Sequence, residues 1–186
     1  VDFDFPGASK ELHTTDYGDF PRNIKLVPFQ DLVSESISGE WGKECPEGRY
    51  SQAIKCIRGT DIPNITLAYY GDVPLRYVQK KHIQEKRVQT NDIIVEISGG
   101  SPVQSTGRTC LITGTILNDL ELPVLCTNFC RIIRLKEPAY AEYIYHYIFL
   151  LYTRGYFFNL ENNTTGIKNL IFSAFLQNIK IPIPND

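Results

Sequence analysis

One amphipathic segment, residues 138–154, most constrains what this 186-residue chain can fold into. Its apolar side chains recur at the spacing of a single helix face, Pro138 stands where a first helical residue would be, and Gly155 follows as a stop. We expect the face to be buried, because an exposed stripe of this composition would leave a large apolar patch in water. Its members are Tyr140, Tyr143, Ile144, Tyr147, Ile148 and Leu151.

Short apolar runs rich in β-branched residues surround this helix and predict strands. They occupy residues 24–27, 51–57, 92–98, 108–113, 123–126, 128–135 and 179–183. Shorter helical segments are predicted at residues 28–33, 77–88 and 167–177. Strands and helices do not alternate with the regularity of βαβ units. The sequence therefore predicts an α+β fold, with a mixed, mostly antiparallel twisted sheet and a few packed helices.

The length and composition predict one domain with a short extension. Hydrophobic residues make up 42% and charged residues 22%, which is typical of globular proteins. Residues 1–22 are broken by proline and glycine and are rich in aspartate, so we expect a lead-in or linker there and a single domain over residues 23–186. The start at Val1 and the lack of methionine indicate a fragment of a longer protein.

Charge and cysteine content narrow the classes of partner. The net charge of −2 argues against a strongly basic nucleic-acid binder, although residues 1–44 hold most of the excess acid and the remainder is mildly basic. The five cysteines are odd in number and scattered, which is typical of reduced thiols in a cytosolic protein. The sequence carries neither a secretory signal nor a membrane-spanning stretch. We expect a cytoplasmic protein with no membrane partner.

Catalytic and cofactor motifs are missing from the sequence. It contains no phosphate-binding loop, no dinucleotide fingerprint and no nucleophile elbow, and no histidine lies beside a cysteine. Asp92 and Glu96 flank a strand as in a metal nuclease, but Ser98 stands where a catalytic lysine would be needed. A cysteine hydrolase and a metal nuclease are therefore disfavoured, and we expect a protein without catalytic residues, metal or cofactor.

Three polar segments are candidates for a binding surface, and each has a purely structural alternative. The basic segment 76–87 is suited to phosphate contacts or is a solvated helix face. The glycine-rich loop 98–108 has side chains that can bond base edges or phosphates, or it is a flexible connection. Residues 162–168 provide a phosphate contact or a helix cap. The candidate DNA-contacting residues are Lys80, Lys81, Lys86, Arg87, Ser101, Gln104, Thr106, Arg108 and Lys168.

The order of several short motifs resembles that of a known family. Residues 57–62 read Ile-Arg-Gly-Thr-Asp-Ile, and residues 91–94 read Asn-Asp-Ile-Ile ahead of the glycine-rich loop. The set continues with residues 128–131, 140–145, 164–170 and 179–184. Together these segments resemble the target-recognition domains of the specificity subunits of type I restriction-modification enzymes. The resemblance covers nearly the whole chain, although the long helix that follows such a domain is missing after Pro184.

The resemblance implies a non-catalytic module that reads one half of a bipartite site in double-stranded DNA. It also implies methyltransferase subunits as partners and the restriction subunit as an indirect one. Arg58 and Asp61 either hold their turn by pairing or touch DNA. Two alternatives stay open: the recognition domain of a single-chain enzyme that fuses methyltransferase and nuclease, and a protein-interaction module using an exposed aromatic helix.

Overall fold

A computed structural model describes residues 11–15, 18–164 and 167–184. Within these ranges the chain forms fourteen strands and six α-helices. The strands are β1 (Leu12–Thr15), β2 (Gly18–Pro21), β3 (Ile24–Pro28), β4 (Val33–Ser38), β5 (Gln52–Ile57), β6 (Leu75–Val78), β7 (Ile93–Glu96), β8 (Ser98–Gly100), β9 (Thr109–Leu111), β10 (Val124–Cys126), β11 (Cys130–Leu135), β12 (Glu161–Thr164), β13 (Ile167–Leu170) and β14 (Lys180–Pro184). The helices are α1 (Phe29–Leu32), α2 (Ile62–Thr66), α3 (Lys80–Lys86), α4 (Gly114–Asp119), α5 (Ala141–Thr153) and α6 (Phe172–Asn178), and 3-10 turns lie at Pro138–Tyr140 and Tyr156–Leu160.

The central sheet has four antiparallel strands in the order β4-β11-β7-β9. A second sheet, β10-β5-β6, contains a parallel pair, because β10 runs parallel to β5. Three further strands form the sheet β12-β13-β8, and β14 pairs with β3. The pairing is thus mixed but mostly antiparallel, and the predicted α+β class is confirmed.

Strand β7 lies between two hydrophobic cores, one on each face of the central sheet. Ile93 and Val95 face the core that α1, α5 and α6 cover, whereas Ile94 faces the core that α2 and α4 cover. Because successive side chains of a strand point to opposite faces, a strand buried on both sides is apolar along its length, and its one charged residue, Glu96, is paired with Arg108. This requirement explains the β-branched run that predicted the strand.

Helix α5 is buried as predicted, but along a slightly different stripe. Ala141, Ile144, Ile148 and Leu151 are at most 1% exposed and Tyr145 is 7% exposed. Two residues of the predicted face, Tyr140 and Tyr143, are instead 44% and 43% exposed. Tyr140 belongs to the 3-10 turn that precedes the helix, whereas Tyr143 lies within α5 at the edge of the buried stripe and donates its hydroxyl proton to the Pro182 carbonyl.

Two predicted helices are shorter than expected. In the segment 77–88 the first residues belong to β6, and the helix occupies only α3. In the segment 167–177 the first four residues form β13, which pairs with β8, and the helix starts at Phe172. In both places sheet pairing with a distant segment overrides local helix propensity.

Other segments contain secondary structure that the sequence did not predict. The expected lead-in contains the hairpin β1–β2, and residues 1–10 lie outside the described residues. Helix α4 was not predicted, although Thr113 caps it by accepting a hydrogen bond from the Ile116 amide. In the part of the chain that the structure describes, no helix has the length and apolar content needed to cross a membrane.

The packing of α5 yields a stability prediction. Replacing the fully buried Ile148 with alanine leaves a cavity in the core and should lower the free energy of unfolding by about 2–5 kcal/mol. His146 lies on the exposed side of the same helix, so His146→Ala should change it by less than about 0.5 kcal/mol. Urea denaturation of both variants measures the difference, and equal losses would contradict the assigned stripe.

Candidate nucleic-acid interface

A cavity of about 310 Å³ opens where three sequence-distant segments meet. The turn after β5 contributes Arg58 to Thr60, and the ends of the glycine-rich loop contribute Ser98, Gly99 and Arg108. The turn before β11 contributes Thr127 to Phe129, and Trp41 closes one side. Three of the motif segments that carry the family resemblance thus converge on one concave site.

A buried ion pair forms one wall of this cavity. The Arg108 guanidinium donates from Nε to Glu96 Oε2 at 2.9 Å and from Nη2 to Oε1 at 2.5 Å. Glu96 is 1% exposed, and 16% of the Arg108 side chain remains exposed. The hydrogen bonds to Glu96 raise the pKa of Arg108 more than its burial lowers it. A carboxylate this deeply buried stays charged only when it is paired and hydrogen-bonded, so Arg108 is tied into the frame of the site.

Two glycines pack directly against the Glu96 carboxylate. A Cβ atom at Gly59 would lie 2.4 Å from Glu96 Oε1, and a Cβ atom at Gly99 would lie 2.8 Å from it. Gly99 also has a φ of +136°, which side-chain-bearing residues rarely adopt. Two of the motif segments are therefore held together by one buried carboxylate.

Arg58 and Asp61 pair within the turn after β5. Arg58 donates from Nη2 to Asp61 Oδ1 at 2.7 Å and from its backbone amide to Oδ2 at 2.8 Å. Its Nη2 also donates to the Asp72 carbonyl at 2.9 Å. These bonds to Asp61 are the main cause of the raised pKa of Arg58. The pair holds the turn, while 39% of the Arg58 side chain stays exposed at the cavity.

The glycine-rich loop folds into a tight turn, and hydrogen bonds to neighbouring segments hold it in place. Ser101 and Gln104 pair through their backbones, and Val103 at the tip is 91% exposed. Thr106 was predicted as a DNA contact, yet it is fully buried: its amide donates to the Glu161 carboxylate and its hydroxyl donates to the Lys168 carbonyl. The side chain of Thr106 therefore fixes the loop and is not on the surface.

Lys168 takes part in the same set of contacts that holds the loop. Its Nζ lies 3.0 Å from Glu161 Oε2 and 4.8 Å from the centre of the Phe158 ring, and 18% of its side chain is exposed. It lies on β13, which pairs with β8, rather than near the predicted helix start. Lys168 thus neutralises the carboxylate that holds Thr106.

Three cations on and directly after the basic helix α3 face the solvent, and a fourth forms an internal ion pair. Lys80, Lys81 and Arg87 are exposed and form no ion pair with the residues that the structure describes. Lys86 instead pairs with Glu40 at 3.1 Å, and His82 Nδ1 lies 2.9 Å from the other oxygen of Glu40. Because Glu40 precedes Trp41, this pairing connects α3 to the cavity.

Comparison with known proteins decides the family. A family model described as the type I restriction modification DNA specificity domain matches residues 51–186. The chain belongs to this family. A search of the curated proteins found no match. Membership gives the specificity domain a role in DNA sequence recognition within a type I restriction-modification complex, in a family whose members are generally non-catalytic.

The structure of the specificity domain also brings forward residues that sequence reasoning missed. Asn128 and Phe129 were assigned to a strand, but β11 begins at Cys130 and they form the exposed turn before it. Phe129 is 55% exposed at the cavity. An exposed aromatic beside an asparagine in a turn was the available signal, since such residues are suited to contact bases.

The cysteines of the specificity domain divide into one exposed and four buried thiols. Cys45 is exposed, and Cys56, Cys110, Cys126 and Cys130 are buried. Burial raises the pKa of all four buried thiols, to about 12 for Cys56 and Cys130. Within the described residues, no three side chains of the metal-binding types are grouped as a site. The buried thiols are thus poor nucleophiles at neutral pH.

The Glu96–Arg108 pair yields a prediction for the specificity domain. Glu96→Gln leaves the partly buried guanidinium of Arg108 without its carboxylate and should lower the free energy of unfolding by about 3–5 kcal/mol. The matched control is Glu35→Gln, which breaks the pair with Arg134 but at a carboxylate that is 54% exposed; its cost should be about 0–1 kcal/mol. Chemical denaturation measures both, and equal costs would show that the burial of Glu96 is not decisive.

Thiol labelling provides a second prediction. At mildly alkaline pH a thiol reagent should modify Cys45 alone in the native protein and all five cysteines after denaturation. Burial raises the pKa of Cys56 and Cys130 from 9.0 to about 12 and raises the pKa of Cys110 and Cys126 as well, so the unfolded chain loses these thiol protons at a lower pH and stability should fall as the pH rises above about 9. Rapid labelling of a second thiol in the native state would contradict this division.

Proposed function

We propose that this specificity domain reads one half of a bipartite site in double-stranded DNA, in the cytoplasm of a prokaryotic cell. By doing so it directs the methyltransferase subunits, and through them the restriction subunit, to that site. The observation that carries the proposal is the convergence of three motif segments on one cavity with exposed polar side chains at its mouth. Hydrogen-bonding groups on a rigid frame are what base readout requires.

The exposed residues around the site divide by the kind of contact that they offer. Lys80, Lys81 and Arg87 carry uncompensated charge, which suits them to phosphates. Asn128 is exposed in the turn before β11, whereas Gln104 is half-buried in the glycine-rich loop and hydrogen-bonds Tyr152; each offers an amide donor and acceptor, which suits it to base edges. Ser101 lies at the base of the same loop turn as Gln104.

Four of the predicted contacts already have partners within the protein. Lys86, Arg108 and Lys168 are each paired with a carboxylate, and Thr106 is buried. A contact between any of them and DNA stays a prediction, and it requires the side chain to exchange or share its internal partner. We therefore propose that these four residues mainly position the loops, and that the exposed residues contact the DNA directly.

The size of the domain fits one half-site. A compact chain of this length has a radius of gyration of roughly 16 Å. One turn of B-DNA is about 34 Å long, so a single domain spans a few base pairs of one groove. A site long enough to be rare in a genome then needs a second domain, which is the reason for proposing a bipartite site.

A domain graft tests this proposal. Residues 23–184 replace one recognition domain of an intact specificity subunit, which is co-expressed with its methyltransferase subunits, and sequencing of the host DNA maps every methylated adenine. We expect a new bipartite motif, with one half unchanged and the other half new. Loss of methylation while the complex still assembles would contradict DNA reading by this domain.

The exposed cations of α3 generate a prediction of their own. Because these side chains are proposed to contact phosphates rather than bases, Lys80→Ala combined with Lys81→Ala should weaken DNA binding by a similar factor for every duplex. The number of ions released on binding, measured from the salt dependence of the affinity, should fall by about two. Arg154→Ala removes an exposed cation at the end of α5 and should leave both unchanged. Binding titrations over a range of salt concentrations measure the effect, and a loss confined to one sequence would contradict it.

Gln104→Ala tests the opposite behaviour. Because its half-buried amide lies in the turn of the glycine-rich loop and offers both a donor and an acceptor, we expect the variant to relax or alter the preferred sequence with little change in binding to random DNA. The methylation pattern of the grafted subunit measures this. An unchanged pattern in both Gln104→Ala and Asn128→Ala would place the reading elsewhere.

A protein-interaction module is the second candidate, and the outer side of α5 favours it. Phe149 and Leu150 are 42% and 41% exposed there, beside the half-exposed Tyr143. In a graft that assembles but does not redirect methylation, this surface would be the one to test. The fused single-chain enzyme stays an alternative for the parent protein, because the same domain could serve in either.

A further inference from the structure

We propose that the cavity beside the Glu96–Arg108 pair receives a single nucleobase that leaves the stack of the bound DNA. The inference rests on the proposed DNA-reading function and adds a ligand class and named contacts to it. The cavity volume of about 310 Å³ is at the low end of the range for small-molecule sites, roughly 300–1,000 Å³. A space of this size holds one flat ring system rather than a whole nucleotide.

The charge balance of the cavity favours an uncharged ligand. Both guanidiniums that line it are already neutralised by buried carboxylates, Arg108 by Glu96 and Arg58 by Asp61, which is 2% exposed. A phosphate would have to compete with these carboxylates for the same donors. A neutral heterocycle meets no such competition, because it needs hydrogen bonds and apolar contact rather than a free positive charge.

Two aromatic side chains provide that apolar contact. Trp41 lines one side and is held by Arg76, whose guanidinium carbon lies 3.9 Å from the centre of its ring. Arg76 is in turn fixed by hydrogen bonds to the Trp41 and Gly42 carbonyls. Phe129 lines the cavity as well and keeps 55% of its surface exposed. Stacking on such rings is how proteins hold bases that have left a helix.

Two exposed polar residues are placed to recognise the edge of such a base. Thr60 and Asn128 both line the cavity and are exposed, and each can donate and accept a hydrogen bond. A base edge carries both donors and acceptors, so a hydroxyl and an amide can match it without adding charge.

The single tryptophan of the chain makes the site directly observable, because Trp41 is its only indole reporter. The intact chain is titrated with each of the four deoxynucleosides, and tryptophan emission is followed with free N-acetyltryptophanamide as the correction for collisional quenching. We expect saturable quenching by at least one nucleoside. Phe129→Ala should raise the apparent Kd roughly five- to a hundredfold, as expected for loss of a stacking partner.

The matched control is Phe149→Ala, which removes a phenylalanine that is 42% exposed on the outer side of α5 and does not line the cavity. It should leave the apparent Kd unchanged. The inference is overturned if no nucleoside quenches Trp41 beyond the free indole, or if Phe129→Ala and Phe149→Ala behave alike. Both positions are exposed, so neither substitution removes core packing.

A second measurement identifies the source of the base and separates this inference from the proposed function. Duplexes containing the half-site found by the graft carry 2-aminopurine at one position at a time. A rise in 2-aminopurine emission at a single position supports extrusion from DNA. The absence of a rise at every position overturns extrusion from DNA, and nucleoside binding in that case would mean that the ligand is a free base or nucleoside. Redirected methylation without nucleoside binding would refute the cavity inference alone.

Discussion

The ion pair between Glu96 and Arg108 is the interaction on which the proposed reading face depends. It joins the end of β7 to the residue before β9, and the backbones of Gly59 and Gly99 pack against the same carboxylate. The neighbouring residue extends this connection, because the Ile97 amide donates to the Phe129 carbonyl and its own carbonyl accepts from the Leu170 amide. One short stretch of chain therefore fixes the positions of the turns that surround the cavity.

This arrangement separates the frame of the domain from its surface. Carboxylates at Asp61, Glu96 and Glu161 are buried or nearly so, and each neutralises a cation and bonds to backbone or side-chain donors. At the tip of the glycine-rich loop, by contrast, Val103 is 91% exposed beyond the backbone pairing of Ser101 with Gln104. Side chains at the tips can therefore change without a cost to the frame, which is what a domain specialised for different DNA sequences needs.

Much of the fold could be predicted from local patterns, because burial on both faces demands apolar runs and a helix face demands a fixed spacing. The buried strand β7 and the long helix α5 were found in this way. Helix predictions failed where pairing with a distant strand decided the conformation, as at β13. The spacing of apolar residues also did not reveal that Tyr140 lies in a 3-10 turn before α5.

The candidate site was harder to predict, since a polar residue looks the same in a sequence whether it is paired or free. Thr106 meets Glu161 and Lys168 across 55 and 62 residues of chain, and Arg108 meets Glu96 across 12. Only the fold brings these partners together. Side chains that were predicted to contact DNA therefore prove to have partners within the protein. The family resemblance pointed to the segments that line the cavity, whereas the exposed pair Asn128 and Phe129 became apparent only from the end of a strand.

Hydrogen–deuterium exchange of the domain with and without its duplex tests the central claim most directly, because it maps the DNA-contacting surface without altering any residue. The account predicts that DNA slows exchange in residues 58–60, 98–104 and 127–129 and on α3, and leaves the outer side of α5 unchanged. Protection confined to α5, with no change in the three turns around the cavity, would contradict it.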